Sequence, residues 1–425
     1  MIQTAIANLR GVKTVAWNLV LAASGITIIP TFIIFLVFKR SLVDGIKMQK
    51  TRRCCTIRLP GGSMLISGRE YTRREAERRI GNLRQLGGIR HCELADGRAR
   101  GVRTFEVRTG SGLDFTVLAD RGMDIADFTY KGINLVYHTA AGIAHPSYYD
   151  PAGAEWLKVF FGGLLTTCGL TYFGRPGRDG EEDLGLHGRY SALPATHVSD
   201  LSRWEGNEYL LELTGVVEEA ALFGDKLRLT RSISTSIGSK SVRIHDRVEN
   251  FGSRLSPFLI LYHMNAGFPL LDQAAELVTA SRSISPYDAR SAEGMADVQR
   301  FAAPQPEFAE MNFLHTMVAD EHGFTRAALI NRALVGGLGL ALRYRTASLP
   351  YLSGWKMLAD VDYVVGIEPV NVKIANRAEL RAEGRLPLLA AGETRQMDLE
   401  ASVLEGNAEI DAFCAEIKRI QGRAS

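Results

Sequence analysis

Cysteine is scarce in this sequence, and there is little excess charge of either sign. The 425 residues include five cysteines, an odd number, and no Cys-x-x-Cys pair occurs. A disulfide framework and a zinc knuckle are therefore not expected, and we predict a reducing, cytoplasmic compartment. Lysine and arginine number 50 against 47 acidic residues, a net charge of +3. So small an excess gives no electrostatic footprint for nucleic acid.

Motifs for cofactors and metals are also missing. No Gly-x-Gly-x-x-Gly leads from a strand into a helix, so a nucleotide-binding domain has no support. Seven histidines show no metal-ligand spacing: His91, His138, His145, His197, His245, His315 and His322. We therefore predict chemistry that needs neither a metal nor a cofactor.

What the sequence does contain is a series of short segments with period-two alternation. The 42 glycines and 14 prolines are scattered between them, as in a turn-rich protein. We predict strands at residues 102–107, 113–118, 209–217, 226–234, 242–249, 258–263, 338–344, 363–368 and 395–403. Residues 109–112 form a hairpin turn between the first two.

Helical patterns occur only near the two ends, at residues 72–86 and 408–420. Thr72 with Glu75 forms a capping box for the first helix, and Asn407 is the predicted N-cap of the second. Many strands and few helices predict an all-β fold: a large antiparallel β-sandwich with short N- and C-terminal helices.

The first 63 residues differ from the rest. Residues 15–38 are mostly apolar and long enough to cross a bilayer, and basic residues follow them, which would leave the body in the cytoplasm. Residues 1–63 are therefore an inner-membrane tether, a dispensable extension, or upstream sequence from a misplaced start codon. We favour the last, because the sequence that begins at Met64 looks like a natural start of the protein and leads into the first predicted helix. One domain is predicted over residues 64–425, and a membrane is a partner only if residues 15–38 are genuine.

Three short motifs carry the chemistry. His187 lies in Leu-His-Gly, His263 in Tyr-His-Met-Asn, and Glu368 in Glu-Pro. Two imidazoles and a carboxylate supply the donors and the acceptor that opening and reclosing a cyclic hemiacetal requires. General acid and base groups of this kind each contribute roughly 10²–10⁴ in rate. The ordinary imidazole pKa of about 6.5 suits a proton donor near neutral pH.

In their order and spacing these motifs resemble the aldose 1-epimerase (galactose mutarotase) superfamily over about residues 88–405. Within it the chain is similar to a divergent bacterial, DUF4432-like branch. The resemblance implies a supersandwich fold and a cofactor-independent sugar epimerase acting at the anomeric carbon. It assigns Glu368 as base, His263 as acid, and His187 as a hydrogen-bond donor near the ring oxygen.

Five further residues are candidates for binding the sugar. Arg121 could fork hydrogen bonds to hydroxyls, and Trp355 could stack on an apolar sugar face beside Lys356 as a donor. Arg189 follows His187 by two residues and could point the same way. Asn265 lies beside His263.

Each of these residues also has a purely structural interpretation, and the sequence leaves it open. His263 could be a core histidine, and His187 a solvated loop residue. The remaining alternatives are a salt bridge between Glu368 and Arg343, an ion-paired turn joining Arg121 to Asp120 and Asp124, and Trp355 as part of the core.

Two departures from the superfamily affect substrate recognition. An arginine some two dozen residues before the first histidine is missing, and the aspartate expected between His263 and Glu368 is replaced, if at all, by Lys356 or Asp360. Two other functions therefore remain open: a carbohydrate-binding protein without turnover, and an isomerase or lyase that uses Lys356 to stabilise an oxyanion.

Overall fold

A computed structural model describes residues 63–423. The first fourteen strands, β1 to β14 in chain order, are Met64–Ile66, Arg69–Tyr71, Gly88–Glu93, Arg103–Arg108, Leu113–Leu118, Asp124–Tyr130, Ile133–Asn134, Thr166–Leu170, Gly177–Asp179, Glu182–Leu184, Thr196–Asp200, Arg203–Glu205, Glu208–Ala220 and Lys226–Ser236. Strands β15 to β27 are Ser241–Asn250, Ser256–Pro257, Leu259–His263, Asn265–Gly267, Ala275–Thr279, Ser281–Pro286, Met311–Met317, Phe324–Asn331, Leu338–Arg345, Tyr351–Leu358, Tyr363–Val370, Leu388–Leu389 and Thr394–Glu405.

The helices are few and mostly short. The α-helices α1 to α4 are Arg73–Glu77, Ala289–Glu293, Arg377–Ala382 and Asn407–Arg423. The 3-10 turns are Leu83–Gln85, Gly97–Ala99, Pro146–Tyr148, Glu155–Lys158, Tyr190–Ala192, Met295–Asp297 and Leu334–Gly336. The predicted all-β fold with short terminal helices is confirmed.

Three antiparallel sheets form the body of the fold. A nine-stranded sheet runs β11-β13-β14-β15-β27-β23-β22-β19, with β12 paired to β13. A seven-stranded sheet runs β20-β21-β24-β25-β17-β8, with β18 paired to β25, and a five-stranded sheet runs β3 to β7 in order. One apolar cluster joins all three, with Phe115 from the five-stranded sheet, Ile244 from the nine-stranded sheet and Ile367 from the seven-stranded sheet among its members.

Alternation along the strands of the nine-stranded sheet places that cluster on one face. In β14 and β15, buried residues alternate with partly exposed ones over almost the whole strand. This is the expected pattern for an antiparallel sheet with one face on the core and one toward water. It explains why these strands were predictable from the sequence.

Strands β17 and β25 differ because every residue of both is buried. The main cluster covers one face, with Ile260 and Tyr262 among its members. A second cluster covers the other face and includes Leu259, Leu261 and Trp156. Side chains on that second face therefore lie beneath a covering layer and away from bulk water.

A buried charged network lies behind β17 and β8. The guanidinium of Arg231 donates to both carboxylate oxygens of Asp246 at 2.9 and 2.7 Å, and to Asp124 at 2.7 Å. Arg231 also donates to the hydroxyl of Thr167 at 2.9 Å, and the Tyr262 hydroxyl donates to Asp246 at 2.7 Å. Because the five residues come from β14, β15, β6, β8 and β17, the network fixes the three sheets against one another.

The helical predictions needed correction at both ends. Helix α1 begins after Thr72 with the predicted capping box, but it ends at Glu77. The side chain of Asn82 then caps a separate 3-10 turn. The helix predicted to reach residue 86 is therefore interrupted. At the other end, Asn407 is the first residue of α4 rather than its N-cap. Its side-chain oxygen accepts a hydrogen bond from Arg332.

The hydrophobic segment 15–38 and the boundary proposed at residue 63 involve residues 1–62, which lie outside the described part of the chain. Among the helices of residues 63–423, none combines the length and apolarity needed to cross a bilayer.

Candidate active site

His263 and Glu368 lie opposite each other on neighbouring strands. Leu261 pairs with Val370, and Asn265 pairs with Gly366. The same antiparallel register places His263 across from Glu368, midway between these two pairs, on the face covered by the second cluster. Their side chains meet, with His263 Nε2 at 3.3 Å from Glu368 Oε1. The residues are only 5% and 3% exposed.

His187 reaches the same place from a loop. Its amide donates to the carbonyl of Gly174, and its carbonyl accepts from Gly169 of β8. Gly188 fits here because its φ is +70° and an added Cβ would lie 2.4 Å from the carbonyl oxygen of Tyr172. The imidazole rings of His187 and His263 meet edge to face with centroids 5.6 Å apart. The loop therefore brings the first predicted histidine to the second.

Aromatic rings enclose the two imidazoles. Trp156 lies 4.8 Å from the His187 ring and 6.4 Å from the His263 ring, centroid to centroid. Phe160 and Trp355 each lie 5.3 Å from His263. The Trp156 indole is fixed by its N–H, which donates to the hydroxyl of Ser191 at 3.0 Å. These rings form one side of a cavity of about 170 Å³.

Burial sets the charge state of this site. It raises the pKa of Glu368 to about 8 and lowers that of His263 to about 3. The same cause lowers the pKa of His187 to about 4. In each case removal from water disfavours the charged form. At neutral pH the pair therefore rests as a carboxylic acid beside a neutral imidazole. In this state it carries one titratable proton, the one on the carboxylic acid.

Several polar atoms of the site have no partner within residues 63–423. Glu368 Oε1 and the Nδ1 atoms of His187 and His263 are buried without a hydrogen bond in this part of the chain. Buried polar atoms are nearly always paired, and unpaired ones call for an explanation such as a catalytic role. These three, of the ten such atoms in the described part of the chain, belong to residues that line one cavity, which makes that cavity the candidate site for a polar ligand.

Gly366 leaves room for the Glu368 carboxylate. A Cβ added at Gly366 would lie 2.1 Å from Glu368 Oε1 and 3.0 Å from the Cβ of Trp355. The carboxylate therefore lies back over this glycine, which holds it within reach of His263.

We expect Gly366→Ala to lower the rate of any reaction that uses the His263–Glu368 pair by about 10²-fold or more, because a displacement near 1 Å in a catalytic group can cost that much. The matched control is Gly354→Ala on the adjacent strand. Its added Cβ would meet His315 Nε2 at 3.2 Å on the opposite face of the sheet. Rates corrected for the folded fraction should fall for the first variant only; equal losses would contradict this role for Gly366.

The structure does not bring Arg121 to the cavity. Its guanidinium is buried and donates to three backbone carbonyls, those of Ser191, Ala144 and Val159. Those bonds hold loops together, and Arg121 is not among the residues that line the cavity. The ion-paired turn is also wrong: Asp120 pairs with Arg103, and Asp124 pairs with Arg231 of the buried network.

Lys356 and Arg189 also lie away from the cavity. Successive residues of a strand point to opposite faces, so Lys356 faces away from the pocket that Trp355 lines. Its ammonium donates to the carbonyls of Asp297 and Arg300. Arg189 lies 3.6 Å from Glu219.

Asn265 supports the site from behind. Its side-chain amide donates to the carbonyls of Gly163 and His263. These bonds fix the backbone at the end of β17, and Asn265 is not among the residues that line the cavity. Glu368 contacts His263, whereas Arg343 stands over the ring of Phe324 on the nine-stranded sheet.

Some pocket residues had not been predicted. Glu310 lines the cavity and accepts a hydrogen bond from the Trp355 indole at 2.8 Å. Asn312 and Trp156 line it as well. Glu310 follows His263 and precedes Glu368 in the chain, which is where the missing acidic residue was expected. Trp156 lies in a 3-10 turn, where no periodic pattern marks it.

Comparisons with known proteins agree with this architecture. The model of the family described as "Domain of unknown function (DUF4432)" matches residues 99–403. A crystal structure of "a putative aldose 1-epimerase" from Klebsiella pneumoniae is 27% identical with a TM-score of 0.74, covering 78% of this chain and 87% of that one. No curated protein matches the chain.

More distant solved structures share the fold alone. A galactose mutarotase-like protein from Clostridium acetobutylicum is 14% identical with a TM-score of 0.54, over 75% of this chain and 99% of that one. A galactose 1-epimerase from Lactobacillus acidophilus is 12% identical with a TM-score of 0.50, over 76% and 100%. The fold is therefore the galactose mutarotase-like supersandwich, as the resemblance implied.

Proposed function

We propose that this chain, which belongs to the DUF4432 family, is a cofactor-independent sugar epimerase. It would exchange the α and β anomers of an aldose or a related sugar by opening and reclosing the ring. The observation that carries the proposal is the 3.3 Å contact between His263 and Glu368 inside an aromatic cavity that His187 also lines. A sugar with a free anomeric hydroxyl presents one proton to remove and one ring oxygen to protonate.

In the proposed reaction, Glu368 takes the proton from the anomeric hydroxyl while His263 gives one to the ring oxygen. The C1–O5 bond breaks and a C1 carbonyl forms. Rotation about the C1–C2 bond presents the other carbonyl face, and the ring recloses as both protons return. His187 would hydrogen-bond the sugar near the ring oxygen. Protons and electrons balance within the sugar and the pair.

This direction of transfer requires Glu368 as carboxylate and His263 as imidazolium, the ionic form of the same one-proton pair. The resting form is neutral because both groups are buried. Transfer of one proton between the two groups, which lie 3.3 Å apart without a hydrogen bond, would interconvert the two forms. Sugar hydroxyls bound beside the pair would solvate the ionic form and favour that transfer.

The remaining cavity residues suit a sugar ring. Trp355 lines the cavity with its indole fixed by Glu310, and an aromatic face can pack against the C–H face of a pyranose. Glu310 and Asn312 bring a carboxylate and an amide to the same side, where they would bind ring hydroxyls. In this proposal Trp355, Glu310 and Asn312 bind the sugar, whereas the sequence had also suggested Arg121, Lys356 and Arg189 for that role.

The direct test is NMR exchange spectroscopy on a panel of aldoses, with the purified protein against buffer alone. We expect faster exchange of anomers for at least one sugar, with no change in mass and no other product. Absence of protein-dependent exchange for every sugar would overturn the proposal.

The pH dependence offers a second prediction. The pair holds one titratable proton at pH values between the pKa of His263, about 3, and the pKa of Glu368, about 8. We expect kcat/KM to stay near its plateau up to about pH 8 and then to fall about tenfold per pH unit, since activity follows the one-proton form.

The control for this profile is the spontaneous exchange rate, measured at each pH and buffer concentration and subtracted. Groups with ordinary pKa values, about 4.3 and 6.5, would instead give a fall that begins near pH 6.5. A profile of that kind would contradict the neutral resting pair.

The two other functions are separable from this one. An isomerase or lyase of the kind considered above would need Lys356 to stabilise an oxyanion in the cavity. The Lys356 ammonium is instead bound by backbone carbonyls on the opposite face of the sheet. A binding protein without turnover would keep its sugar affinity in Glu368→Gln and show no exchange in the wild type. Calorimetry together with the NMR panel decides that case.

A further inference from the structure

The cavity differs in polarity from one end to the other. Toward β21 it is lined by Glu310 and Asn312, both able to bind hydroxyl groups. At the other end four hydrocarbon side chains line it: Phe173, Leu186, Leu261 and Ile374. Arg175 also lines the cavity, but its guanidinium lies over the ring of Tyr287, whose amide donates to the carbonyl of Asn312 on β21. The reacting pair, His263 and Glu368, lies between the two ends.

Strand geometry fixes the apolar end beside His263. Leu261 precedes His263 by two residues on β17, so both point to the same face roughly 7 Å apart. Leu261 pairs with Cys168 on one side and with Val370 on the other, and all three are buried. Leu261 therefore lies in a row of three buried side chains next to His263, and it is the member of that row that lines the cavity.

The walls above this floor are apolar too. Phe173 belongs to the same cluster as Leu261, and Leu186 and Ile374 pack against that cluster. None of these side chains carries a group able to donate or accept a conventional hydrogen bond. A hydroxyl placed at this end would have no side-chain partner among them.

The chemistry of a pyranose places one substituent at this end. The ring oxygen is bonded to C1 and C5, and in the proposed reaction His263 protonates that oxygen. In that proposed binding mode the group on C5 would lie beyond His263, beside Leu261, which is the neighbour of His263 on the same face of β17. In an ordinary hexose this group is CH₂OH, whereas in a 6-deoxyhexose it is CH₃.

We infer that the site takes 6-deoxyaldohexoses in preference to the parent hexoses, an inference that rests on the proposed epimerase function. A hydroxymethyl group would bury its hydroxyl against hydrocarbon without a partner, which is unfavourable. A methyl group gains from the same burial. An apolar pocket rejects an added hydroxyl by about 10²-fold at most. The expected preference is therefore about 10-fold to 100-fold in kcat/KM.

Matched sugar pairs test this directly. D-fucose and D-galactose differ only in the C6 hydroxyl, as do 6-deoxy-D-glucose and D-glucose, and L-rhamnose and L-mannose. Anomer exchange is measured by NMR for both members of each pair with the wild-type protein. We expect the deoxy sugar to be favoured about tenfold or more in any pair that is turned over.

A variant at the apolar end provides the second arm. Leu261→Asn introduces a donor and an acceptor beside the C5 substituent and should reduce the deoxy preference at least about fivefold. Ile374→Asn serves the same purpose at a partly exposed position and is the variant to use if the buried change prevents folding. Ile374→Val keeps the wall apolar and should keep the wild-type ratio.

The possible outcomes distinguish this inference from the proposed epimerase function on which it rests. Protein-dependent exchange with equal or better use of the parent hexoses would overturn the deoxy preference and leave the epimerase intact. An unchanged ratio in both asparagine variants would also overturn it. No protein-dependent exchange with any sugar would overturn the epimerase, and the preference with it.

Discussion

Glu368→Gln is expected to abolish anomer exchange and, at neutral pH, to make the protein more stable. Glutamine cannot accept the proton from the anomeric hydroxyl, so the loss should reach about 10³-fold, within the range for a general base. The gain in stability follows from burial: the pKa of Glu368 is about 8 in the folded protein, against about 4.3 in an unfolded chain.

The sign of this effect follows from proton binding. The folded protein binds the Glu368 proton more tightly than the unfolded chain, so this group imposes no penalty below about pH 4.3. As the pH rises toward 8, the unfolded state gains by ionising and the folded state loses relative stability. At pH 7 the penalty is on the order of 3 kcal/mol, and a neutral glutamine removes it.

Urea denaturation of both proteins at pH 5 and pH 7.5 measures the effect. The stability difference in favour of Glu368→Gln should be larger at pH 7.5. Glu400→Gln, at a partly exposed position paired with Arg243, should change both activity and stability little. An active Glu368→Gln protein would contradict the base role, and a variant less stable at pH 7.5 would contradict the raised pKa.

The largest expected loss of stability is at Arg231. Arg231→Met removes the only positive charge of the network formed with Asp124 and Asp246 and leaves both carboxylates buried without it. Removing one partner of a buried ion pair costs about 3–5 kcal/mol. The loss should be at least that large, because Arg231 is fully buried and bonded to both aspartates.

Two further variants define the cause. Arg228→Met lies on the same strand, and its pair with Glu218 is partly exposed, so it should cost about 1 kcal/mol or less. The triple variant Arg231→Met, Asp124→Asn, Asp246→Asn removes all three charges and should recover part of the loss. If the triple variant is no more stable than Arg231→Met alone, lost packing rather than unpaired charge explains the effect.

The sequence predicted several strands with one wet and one dry face, such as β13, β14 and β15. It missed β21, which alternates in the same way. Residues 113–118 were located at their observed bounds, and the strand that begins at Lys226 was short by two residues at its end. Strands β8 and β24 were missed. Strand β8, Thr-Thr-Cys-Gly-Leu, is buried throughout and shows no alternation. In β24, Gly354 interrupts the apolar pattern.

The proximity of the proposed acid–base residues was predictable because their motifs keep a recognisable order along the chain. The structure brings His187, His263 and Glu368 to one cavity, as expected. Of the five predicted sugar-binding residues only Trp355 lines the cavity, and two physical reasons explain why the sequence misplaced others. Trp355 and Lys356 are consecutive on a strand and cannot both line one face. The partners of Arg121 and Asp124 lie far away in the sequence, where no local pattern indicates them.

The contact between His263 and Glu368 and the walls of the cavity around it come from different kinds of segment in the chain. His263 and Glu368 stand on strands held by sheet hydrogen bonds and covered on both sides, whereas Trp156, Leu186 and Ile374 come from connecting segments. A loop can change in length or composition without altering the register that sets the spacing of these two side chains. Within this architecture, the shape and polarity of the cavity can therefore change through its connecting segments while the contact between His263 and Glu368 is retained.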